Sequence, residues 1–433
     1  MEIDWSLKNM EERRSKYFSP GLKKFMPFSE PITFKHGKGQ YLWDENGQKY
    51  TDLLGMNVCI SVGHAHPSIV NAANHQALEL PHCTTMFYHP VPLHYAEELV
   101  ETFPKGYNWV VHLTNSGSEA VDLALMMARS YTGNIDFISL QNAYHGPTSG
   151  AQALTGIAGF RHNIVNVPGI SFVPEPNLYR GILGSKTESY LDAIDQTIKT
   201  STSGKVAGMI AETIQGYTGI VEMPMGYLKG AADRIRASGG VMIIDEVQAG
   251  VGRTGQSFWA FEKHDMVPDI AVVAKGIGNG YPIGAVVAKK EIAESMEDKF
   301  MFHTYGSSPV SSAAARQVLK VIKEENLQEN ALKVGEKFLE RLKDLKQRYQ
   351  EIGDVRGKGL MLAIEIVKSR KSKEPDPDLT AFIFDQTREQ RIIVSKSGPN
   401  RNVLRIVPPL CLNEEDVNVI SDALENCFKN SRK

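Results

Sequence analysis

The chain has 433 residues, of which 48 are Lys or Arg and 50 are Asp or Glu, so its formal net charge is -2. This balance provides no overall field for nucleic acid or an anionic membrane, and no apolar run approaches the roughly 18 residues of a membrane-spanning helix. We therefore expect no nucleic-acid or membrane partner, and at roughly 150 residues per domain the length suggests two or three domains.

The four cysteines are scattered along the chain, with neither CxxC spacing nor a metal-type cluster. This pattern argues against a disulfide-built secreted protein and predicts no metal site. The first residues are acidic and lack the apolar core of a signal peptide. We expect a cytoplasmic protein, with the mitochondrial matrix as the alternative.

The first 60 residues contain a segment, 32–44, in which β-type residues are interrupted by Gly turns. Such a segment is typical of a hairpin. We expect the whole segment 1–60 to pack against the C-terminal part of the chain, because a short hairpin cannot form a core alone.

The middle of the chain alternates apolar β-type runs with helical patterns. The predicted strands lie at 109–114, 135–140, 206–211, 241–244 and 270–274, and the predicted helices at 120–131 and 226–238. This alternation indicates an α/β fold with a mainly parallel sheet sandwiched by helices. Ligands of such sheets bind beyond the carboxyl ends of the strands, so we expect the functional residues there.

The pattern changes after residue 310. Helical spacing is present at 311–325 and 330–351, followed by short strand patterns at 360–367, 392–395 and 403–406 and a closing helix at 414–426. This order predicts a smaller α+β domain. The expected division is therefore an N-terminal segment 1–60, a large domain 61–310 and a small domain 311–433.

Ser116-Gly117-Ser118 stands between a predicted strand and a predicted helix. Free N–H groups at a helix N-terminus, with hydroxyls beside them, are well suited to bind a phosphate. The alternative is a helix cap and a turn without any ligand.

Two charged residues directly follow buried strands: Asp245 after 241–244 and Lys275 after 270–274. A carboxylate in an apolar cleft needs a cationic partner, for which a protonated ring nitrogen and a metal both remain open. A desolvated lysine has a lowered pKa and becomes an amine nucleophile that can form a Schiff base. The alternative for Lys275 is a surface lysine before a glycine loop.

Tyr144-His145-Gly146 follows another predicted strand, and its aromatic ring could stack on a planar ligand or simply pack on the core. A phosphate loop, an aromatic ring, a strand-end Asp and a strand-end Lys, in this order, are together what pyridoxal 5'-phosphate requires. In this interpretation Asp245 faces the ring nitrogen and Lys275 reaches the aldehyde.

These motifs resemble those of the class III aminotransferases, which have the pyridoxal-phosphate fold of type I, from about residue 50 to the C-terminus. The segments that carry the resemblance are Asn115-Ser116-Gly117-Ser118-Glu119-Ala120, Tyr144-His145-Gly146, Ala211-Glu212-Thr213-Ile214-Gln215-Gly216, Asp245-Glu246-Val247-Gln248, Ala274-Lys275-Gly276, His303-Thr304-Tyr305-Gly306 and Arg405-Ile406-Val407-Pro408.

The resemblance implies pyridoxal phosphate as the cofactor and Lys275 and Asp245 as the catalytic residues. Thr304 would reach the cofactor phosphate of the neighbouring subunit, which implies a homodimer with a shared active site that could pair into a tetramer. The residues implied to bind the cofactor are Ser116, Gly117, Ser118, Tyr144, His145, Asp245, Val247, Gln248, Lys275 and Thr304.

The substrates implied are a small amino donor and a 2-oxo acid. Arg405 would bind the substrate carboxylate, Glu212 would lie beside the substrate, and Met56 and Asn57 would line its pocket. The motif context is closest to the branch of alanine–glyoxylate aminotransferase 2 and the omega-amino acid:pyruvate aminotransferases. That branch uses alanine, β-alanine or 3-aminoisobutyrate with pyruvate or glyoxylate.

Four sites depart from the family pattern. Pro147 stands where the branches acting on 4-aminobutyrate or acetylornithine often carry Arg, Thr213 stands where Pro is usual, and Ser307-Ser308 replaces Gly-Asn. Asn57 stands where a hydrophobic residue often lines the pocket. Pro147 argues against a 4-aminobutyrate-type aminotransferase, which is kept as an alternative to the preferred branch. A lyase or an aminomutase on the same fold is another, and a lyase would need extra basic residues for a substrate phosphate.

Overall fold

The computed structural model describes residues 3–25, 28–162 and 167–432. The strands are β1 (His36–Lys38), β2 (Tyr41–Trp43), β3 (Lys49–Asp52), β4 (Trp109–Thr114), β5 (Phe137–Leu140), β6 (Ile170–Val173), β7 (Gly208–Glu212), β8 (Ile214–Gln215), β9 (Val221–Glu222), β10 (Val241–Asp245), β11 (Ile270–Ala274), β12 (Gly284–Lys289), β13 (Ile352–Lys358), β14 (Met361–Ile366), β15 (Ile392–Ile393), β16 (Ser395–Ser397) and β17 (Val403–Ile406).

The helices are α1 (Leu7–Tyr17), α2 (Gly55–Val58), α3 (Pro67–Glu79), α4 (Pro90–Glu101), α5 (Gly117–Thr132), α6 (Ser149–Leu154), α7 (Thr187–Ser201), α8 (Tyr227–Ala237), α9 (Lys290–Ala293), α10 (Pro309–Glu324), α11 (Leu327–Arg348), α12 (Pro377–Glu389) and α13 (Glu414–Asn430). Within the described ranges, none of them combines the length and the apolar character that crossing a bilayer requires.

A seven-stranded sheet of order β4-β12-β11-β10-β7-β5-β6 is formed by strands between residues 109 and 289. The pairs β11–β10, β10–β7, β7–β5 and β5–β6 are parallel, whereas β12 runs antiparallel to both of its neighbours. The prediction of a mainly parallel sheet is therefore confirmed.

Both faces of this sheet are buried, as the continuous apolar runs predict. Side chains alternate along β10, so Val241 and Ile243 pack in the core cluster that includes α5, while Met242 and Ile244 pack in the cluster that includes α8. The sheet thus holds the ends of its strands in a rigid frame between helices.

The carboxyl ends of the parallel strands lie at one edge of the sheet. Asp245 pairs with Glu212 on one side and with Val272 on the other. The antiparallel β12 begins at the same edge, where Gly284 pairs with both Thr114 and Ala274. The loops that follow β4, β5, β10 and β11 therefore converge, as the sequence predicts.

The C-terminal part contains a separate antiparallel sheet of order β13-β14-β17-β16. The segment 392–395, predicted as one strand, is divided at Val394, because β15 joins β3 in the N-terminal sheet while β16 joins β17. The hairpin β1–β2 is present. Gln40, between its two strands, and Tyr41 of β2 each donate a 2.5 Å hydrogen bond to Asp416 of α13. The domain boundaries themselves remain a prediction.

Candidate active site

A cavity of about 330 Å³ opens where the strand ends converge. Its size is that of a site for a small molecule. The residues that line it are Cys59, Asn115, Ser116, Gly117, Ser118, Tyr144, His145, Gly146, Glu212, Asp245, Val247, Gln248, Ala274, Lys275, Gly280, Tyr281, Pro282 and Ile283. Most of the residues that the sequence nominates are therefore brought together around one space.

The N-terminus of α5 forms one end of the cavity. The Ser116 hydroxyl caps the helix by accepting the N–H of Glu119 at 3.2 Å, so the capping interpretation holds for this side chain. The N–H groups of Gly117 and Ser118 have no acceptor among the described residues. They remain available, at the positive end of the helix dipole, for an anion.

Glycines permit this end of the cavity to close. A Cβ at Gly146 would lie 2.1 Å from the Ser118 hydroxyl oxygen, and one at Gly117 would lie 3.3 Å from the Val247 side chain. Gly146 also has a φ of 134°, which side chains rarely adopt. Larger residues at either position would displace the groups that line the cavity.

Asp245 is buried at the end of β10 and is held on both oxygens. One oxygen accepts the backbone N–H of Val247 at 3.0 Å, and the other lies 2.8 Å from Nδ1 of the buried His145. Nδ1–H therefore donates to the carboxylate, and His145 fixes the direction in which Asp245 points. Nε2 of His145 has no partner among the described residues.

Lys275 begins a single 3₁₀ turn directly after β11, with a φ of 50°. Burial lowers the pKa of its amine, while the charges of Asp245 and Cys59 act in the opposite direction. A lowered pKa increases the fraction of neutral amine, which is the nucleophilic form. The lysine at the cavity wall is thus prepared for covalent chemistry with a carbonyl group.

Tyr144 lines the cavity as part of an aromatic cluster. Its ring centroid lies 4.7 Å from that of Phe160 and 6.0 Å from that of Tyr217, and its backbone N–H donates to Glu212 at 3.2 Å. Glu212 also accepts the N–H of Gly216 at 2.9 Å, and burial raises the pKa of this carboxyl to about 7.

Arg405 lies one layer behind the cavity wall. Its guanidinium donates to the Gln248 side chain at 3.0 Å and to the Ser395 hydroxyl at 3.1 Å, and burial lowers its pKa to about 10. Gln248 itself lines the cavity. A small movement of Gln248 would therefore expose a buried cation to a ligand.

Besides Arg405, three nominated residues lie outside the cavity lining. Met56 and Asn57 lie in α2, with left-handed φ values of 46° and 59°, and Cys59 next to them lines the cavity instead. Thr304 is exposed in the loop before α10. Their roles remain predictions.

Sequence reasoning missed Cys59 and the segment from Tyr281 to Ile283. The glycines at 276, 278 and 280 that follow Lys275 are a signal that could have indicated Tyr281, because they return the chain to the strand ends. No local signal marks Cys59, since only the tertiary structure brings it to Lys275. Its thiol has a pKa raised by burial.

The structure explains the Thr213 departure. The Thr213 hydroxyl donates a 2.6 Å hydrogen bond to the buried Glu246, which also accepts the N–H groups of Ala260 and Phe261 at 3.0 and 2.9 Å. Burial raises the pKa of Glu246 to about 7. A proline at position 213 could not make this bond. Ser308 caps α10 by accepting the N–H of Ser311 at 3.4 Å, and Pro147 is exposed.

The family model of aminotransferase class-III matches residues 26–428. An Arabidopsis thaliana protein named alanine–glyoxylate aminotransferase 2 homolog 2, mitochondrial, is 41% identical over 413 residues, which is 95% of this chain and 86% of that protein. An amine transaminase from an uncultivated Pseudomonas species, solved in its PLP-bound form, has a TM-score of 0.88 and 31% identity and covers 93% of this chain and 95% of its own.

A phospholyase from Arthrobacter in complex with phosphoethanolamine also has a TM-score of 0.88, with 32% identity over 97% of this chain and 99% of its own. The chain therefore belongs to the class III aminotransferase family. It is a transaminase that uses pyridoxal phosphate to transfer an amino group between an amino donor and an oxo acid.

The cavity fits this cofactor. The free N–H groups of Gly117 and Ser118 suit a phosphate, the anchored carboxylate of Asp245 suits a ring nitrogen, and the Lys275 amine suits an aldehyde. Of the two cations that the sequence leaves open for Asp245, a single ring nitrogen suits a carboxylate whose oxygens already contact Val247 and His145.

Proposed function

We propose that the chain transfers the amino group of alanine or of a β- or omega-amino acid, such as β-alanine or 3-aminoisobutyrate, to pyruvate or glyoxylate. The single observation that carries the chemistry is the position of Lys275 in the lining of the same cavity as the anchored carboxylate of Asp245. The substrate class is supported by the name of the 41% identical Arabidopsis relative, which includes alanine and glyoxylate.

Bound pyridoxal phosphate supplies an electron-withdrawing ring that stabilises negative charge on the amine-bearing carbon of the substrate. Lys275 would hold the aldehyde carbon of the cofactor. Once released, its Nζ would take the proton from the amine-bearing carbon of the substrate and return it, as an acid, to the cofactor carbon. Asp245, positioned by His145, would keep the ring nitrogen protonated. Gly117 and Ser118 would bind the phosphate through their N–H groups.

The remaining cofactor roles are those that the family resemblance implies for residues of the cavity lining. Tyr144 would stack on one face of the ring and Val247 on the other, and Gln248 would donate to the ring hydroxyl. Arg405 binds the substrate carboxylate after leaving Gln248, and a bidentate guanidinium suits that task. Glu212 lies beside the substrate. Because its pKa is raised to about 7, its carboxyl can take up or release a proton near neutral pH.

A panel of donors against acceptors tests the substrate class. Alanine, β-alanine, 3-aminoisobutyrate and 4-aminobutyrate are each offered with pyruvate, glyoxylate and 2-oxoglutarate, and kcat/KM is measured. We expect the first three donors with pyruvate or glyoxylate to be preferred. A preference for 4-aminobutyrate over all three would contradict the proposal and favour the 4-aminobutyrate-type alternative.

The structural similarity to the Arthrobacter phospholyase is the observation that supports the lyase alternative. A lyase releases ammonia from O-phosphoethanolamine without any oxo acid, whereas a transaminase converts its cofactor to the amine form with alanine alone. Ammonia release measured in parallel with the absorption spectrum distinguishes the two reactions.

We also propose a homodimer in which Thr304 contributes to the cofactor phosphate site of the neighbouring subunit. The proposal is supported by the exposed position of Thr304 and by large aromatic side chains left on the surface, among them Tyr88 at 99% and Phe300 at 106% exposure. Sedimentation equilibrium should give at least twice the chain mass, and Thr304→Val should weaken cofactor binding. A monomer with unchanged cofactor affinity would contradict it.

The compartment is a further proposal. The Arabidopsis relative is named as mitochondrial. Its similarity over most of the chain supports the matrix alternative over the cytoplasmic location expected from the sequence. Fractionation of the source cells, with activity measured in matrix and cytosol, decides between the two.

A further inference from the structure

The turn that begins at Lys275 is fastened to a distant segment of the chain by the side chain of Asn279. Oδ1 of Asn279 accepts the backbone N–H groups of Ser61 at 2.9 Å and of Val62 at 3.0 Å. Nδ2 donates to the carbonyl of Gly63 at 3.0 Å. One amide group therefore serves three consecutive residues, and only this orientation of the amide pairs all of them.

A second hydrogen bond joins the same two parts of the chain. The Ser61 hydroxyl donates to the carbonyl of Gly276 at 2.6 Å. Inside the turn, the N–H of Gly278 donates to the carbonyl of Lys275 at 3.0 Å. The backbone that follows Lys275 is thus held near its beginning by Ser61 and at its end by Asn279.

These bonds lie in the interior of the protein. Asn279 is 7% exposed and Ser61 is 1% exposed. Residues 60–63 are buried, with backbone that belongs to no β-strand of the described part of the chain. Buried backbone N–H and C=O groups need partners, and here the Asn279 amide supplies what a neighbouring strand would otherwise supply.

The segment that receives these bonds is itself fixed from its other side. The carbonyl of Ser61 accepts the N–H of Leu410 at 2.7 Å, and the carbonyl of Leu53 accepts the N–H of Val407 at 2.7 Å. Both donors follow β17 in the chain. Asn279 therefore fastens the lysine turn to a firm support and not to a free loop.

The backbone of the turn requires such a support. Lys275 has a φ of 50° and Asn279 a φ of 45°, both in the left-handed region. Asparagine adopts this region more readily than lysine does. A lysine keeps this conformation only where its surroundings enforce it. If the turn relaxed, the Lys275 amine would move with it, and a displacement of about 1 Å at a reacting group can cost about 10²-fold in rate.

We propose that Asn279, together with Ser61, is a positioning residue of the reaction, which holds the turn of Lys275 so that the lysine amine stays in place for proton transfer. This inference rests on the role of Lys275 in the proposed function. Asn279 does not belong to the cavity lining, whereas its neighbour Gly280 does, so Asn279 acts through the lysine turn and not on the substrate.

Steady-state kinetics of the holoenzyme test the proposal. Asn279→Ala should lower kcat with alanine and pyruvate about 10- to 100-fold, because the proton carrier is displaced. The KM for alanine and the cofactor affinity should stay within about threefold, since the groups proposed to bind them are unchanged. Ser61→Ala, a smaller change, should lower kcat about three- to tenfold.

The double variant shows whether the two residues act on the same turn. Its kcat should lie no more than about twofold below that of Asn279→Ala, because residues that hold one element are not additive. Losses that simply multiply would contradict joint positioning.

Asn402→Ala is the matched control. Asn402 is also a buried asparagine, 1% exposed, with Nδ2 donating to a backbone carbonyl, that of Ile366 at 2.8 Å. Asn402→Ala should lower Tm, as Asn279→Ala does, because each leaves buried backbone groups without a partner. It should keep kcat within about twofold of normal. An equal loss of kcat in the two variants would assign the effect to general loosening and overturn the proposal.

Two further measurements do not depend on turnover. The visible absorption of the bound cofactor depends on the proton carried by the Lys275 nitrogen, so its pH titration should shift in Asn279→Ala and stay unchanged in Asn402→Ala. Hydrogen exchange at the N–H groups of Ser61 and Val62 should be at least about tenfold faster in Asn279→Ala, because their acceptor is lost. Faster exchange with normal kcat and a normal titration would make Asn279 a structural residue only and overturn the proposal.

This inference and the proposed function fail separately. If another pair of donor and acceptor proves best, the substrate class proposed above is wrong, and the same fall in kcat with that pair still supports the role of Asn279. Normal kcat in Asn279→Ala, in a protein that uses alanine and pyruvate, contradicts only the role of Asn279.

Discussion

The two sides of the active site differ in how they are built. The cofactor side consists of residues at strand ends and at the N-terminus of α5, and nearly all of them line the cavity. The proposed substrate side consists of Arg405 behind Gln248 and the left-handed segment around Met56. The first side belongs to one rigid sheet, while the second is assembled from distant parts of the chain.

This difference explains why the sequence predicts the type of reaction better than it predicts the substrate. A strand end in a sheet buried on both faces has one position, so Asp245 and Lys275 must face the same cleft. A loop outside that sheet can change its residues without disturbing it. The chemistry is therefore a property of the fold, and the substrate is a property of the loops.

The largest effect is expected from the loss of Lys275, the central residue of the cofactor side. Lys275→Ala should lower turnover by at least about 10³-fold, because both the nucleophilic amine and the proton carrier are lost. Turnover is measured with alanine and pyruvate, together with borohydride labelling of the protein. Lys290→Ala, on the surface beside Glu294, is the matched control and should behave normally. If turnover in Lys275→Ala stays within tenfold of normal, the assignment of Lys275 as nucleophile and proton carrier is contradicted.

The second effect tests whether the cofactor side depends on a charge or only on a shape. Asp245→Asn keeps the size of the side chain but removes the negative charge, and kcat should fall roughly 10²- to 10³-fold, as expected for a buried charge left without its partner. Steady-state kinetics measure the effect. Asp265→Asn, in an exposed turn, is the control. Equal activity of the two variants would mean that Asp245 acts only through hydrogen bonding to His145.

The third effect separates the substrate side from the cofactor side. Arg405→Gln should raise KM for carboxylate-bearing donors about 10- to 100-fold, because a charged hydrogen bond is lost, and should alter KM for simple amines little. Cofactor affinity is measured in parallel, since Arg405 also donates to Gln248. An equal rise in KM for amines and amino acids would assign Arg405 to the framework rather than to the substrate.

The smallest expected effect concerns the stability of the fold and the buried carboxyl of Glu246. The pKa of Glu246 is raised from 4.5 to about 7 in the folded protein, so the folded state holds this proton more tightly than the unfolded chain. Its contribution to stability is complete below pH 4.5 and is lost as the pH rises toward about 7. Glu246→Gln keeps the acceptor for Thr213 but does not titrate.

Chemical denaturation at pH 4.5 and pH 7.5 checks this expectation. The free energy of unfolding of the unchanged protein should fall between the two values by about 1–3 kcal/mol more than that of Glu246→Gln. Glu291→Gln, an exposed carboxyl, is the control and should follow the unchanged protein. Parallel pH profiles for all three proteins would show that Glu246 does not titrate in this range.

Particular residues show how far the sequence reaches. β11 was predictable residue for residue, because its continuous apolar run is typical of a buried strand, and the β-type residues of β4 also predict its bounds. The segment 392–395 was not, because its division into β15 and β16 depends on two different partner strands. Cys59 was missed at the site for the same reason, as its position at the cavity follows from the left-handed turn before it and from a lysine more than 200 residues away.

The amino-acid sequence by itself determined the α/β sheet, the cofactor loop at α5 and the pairing of a strand-end acid with a strand-end amine. These features depend on local patterns, periodicity and motif spacing, which are present in the sequence before any tertiary contact forms. Only the tertiary structure decided that Gln248 covers Arg405 and that Thr213 supports Glu246. Those contacts join residues far apart in the chain, and their energies exist only once burial has brought the partners together.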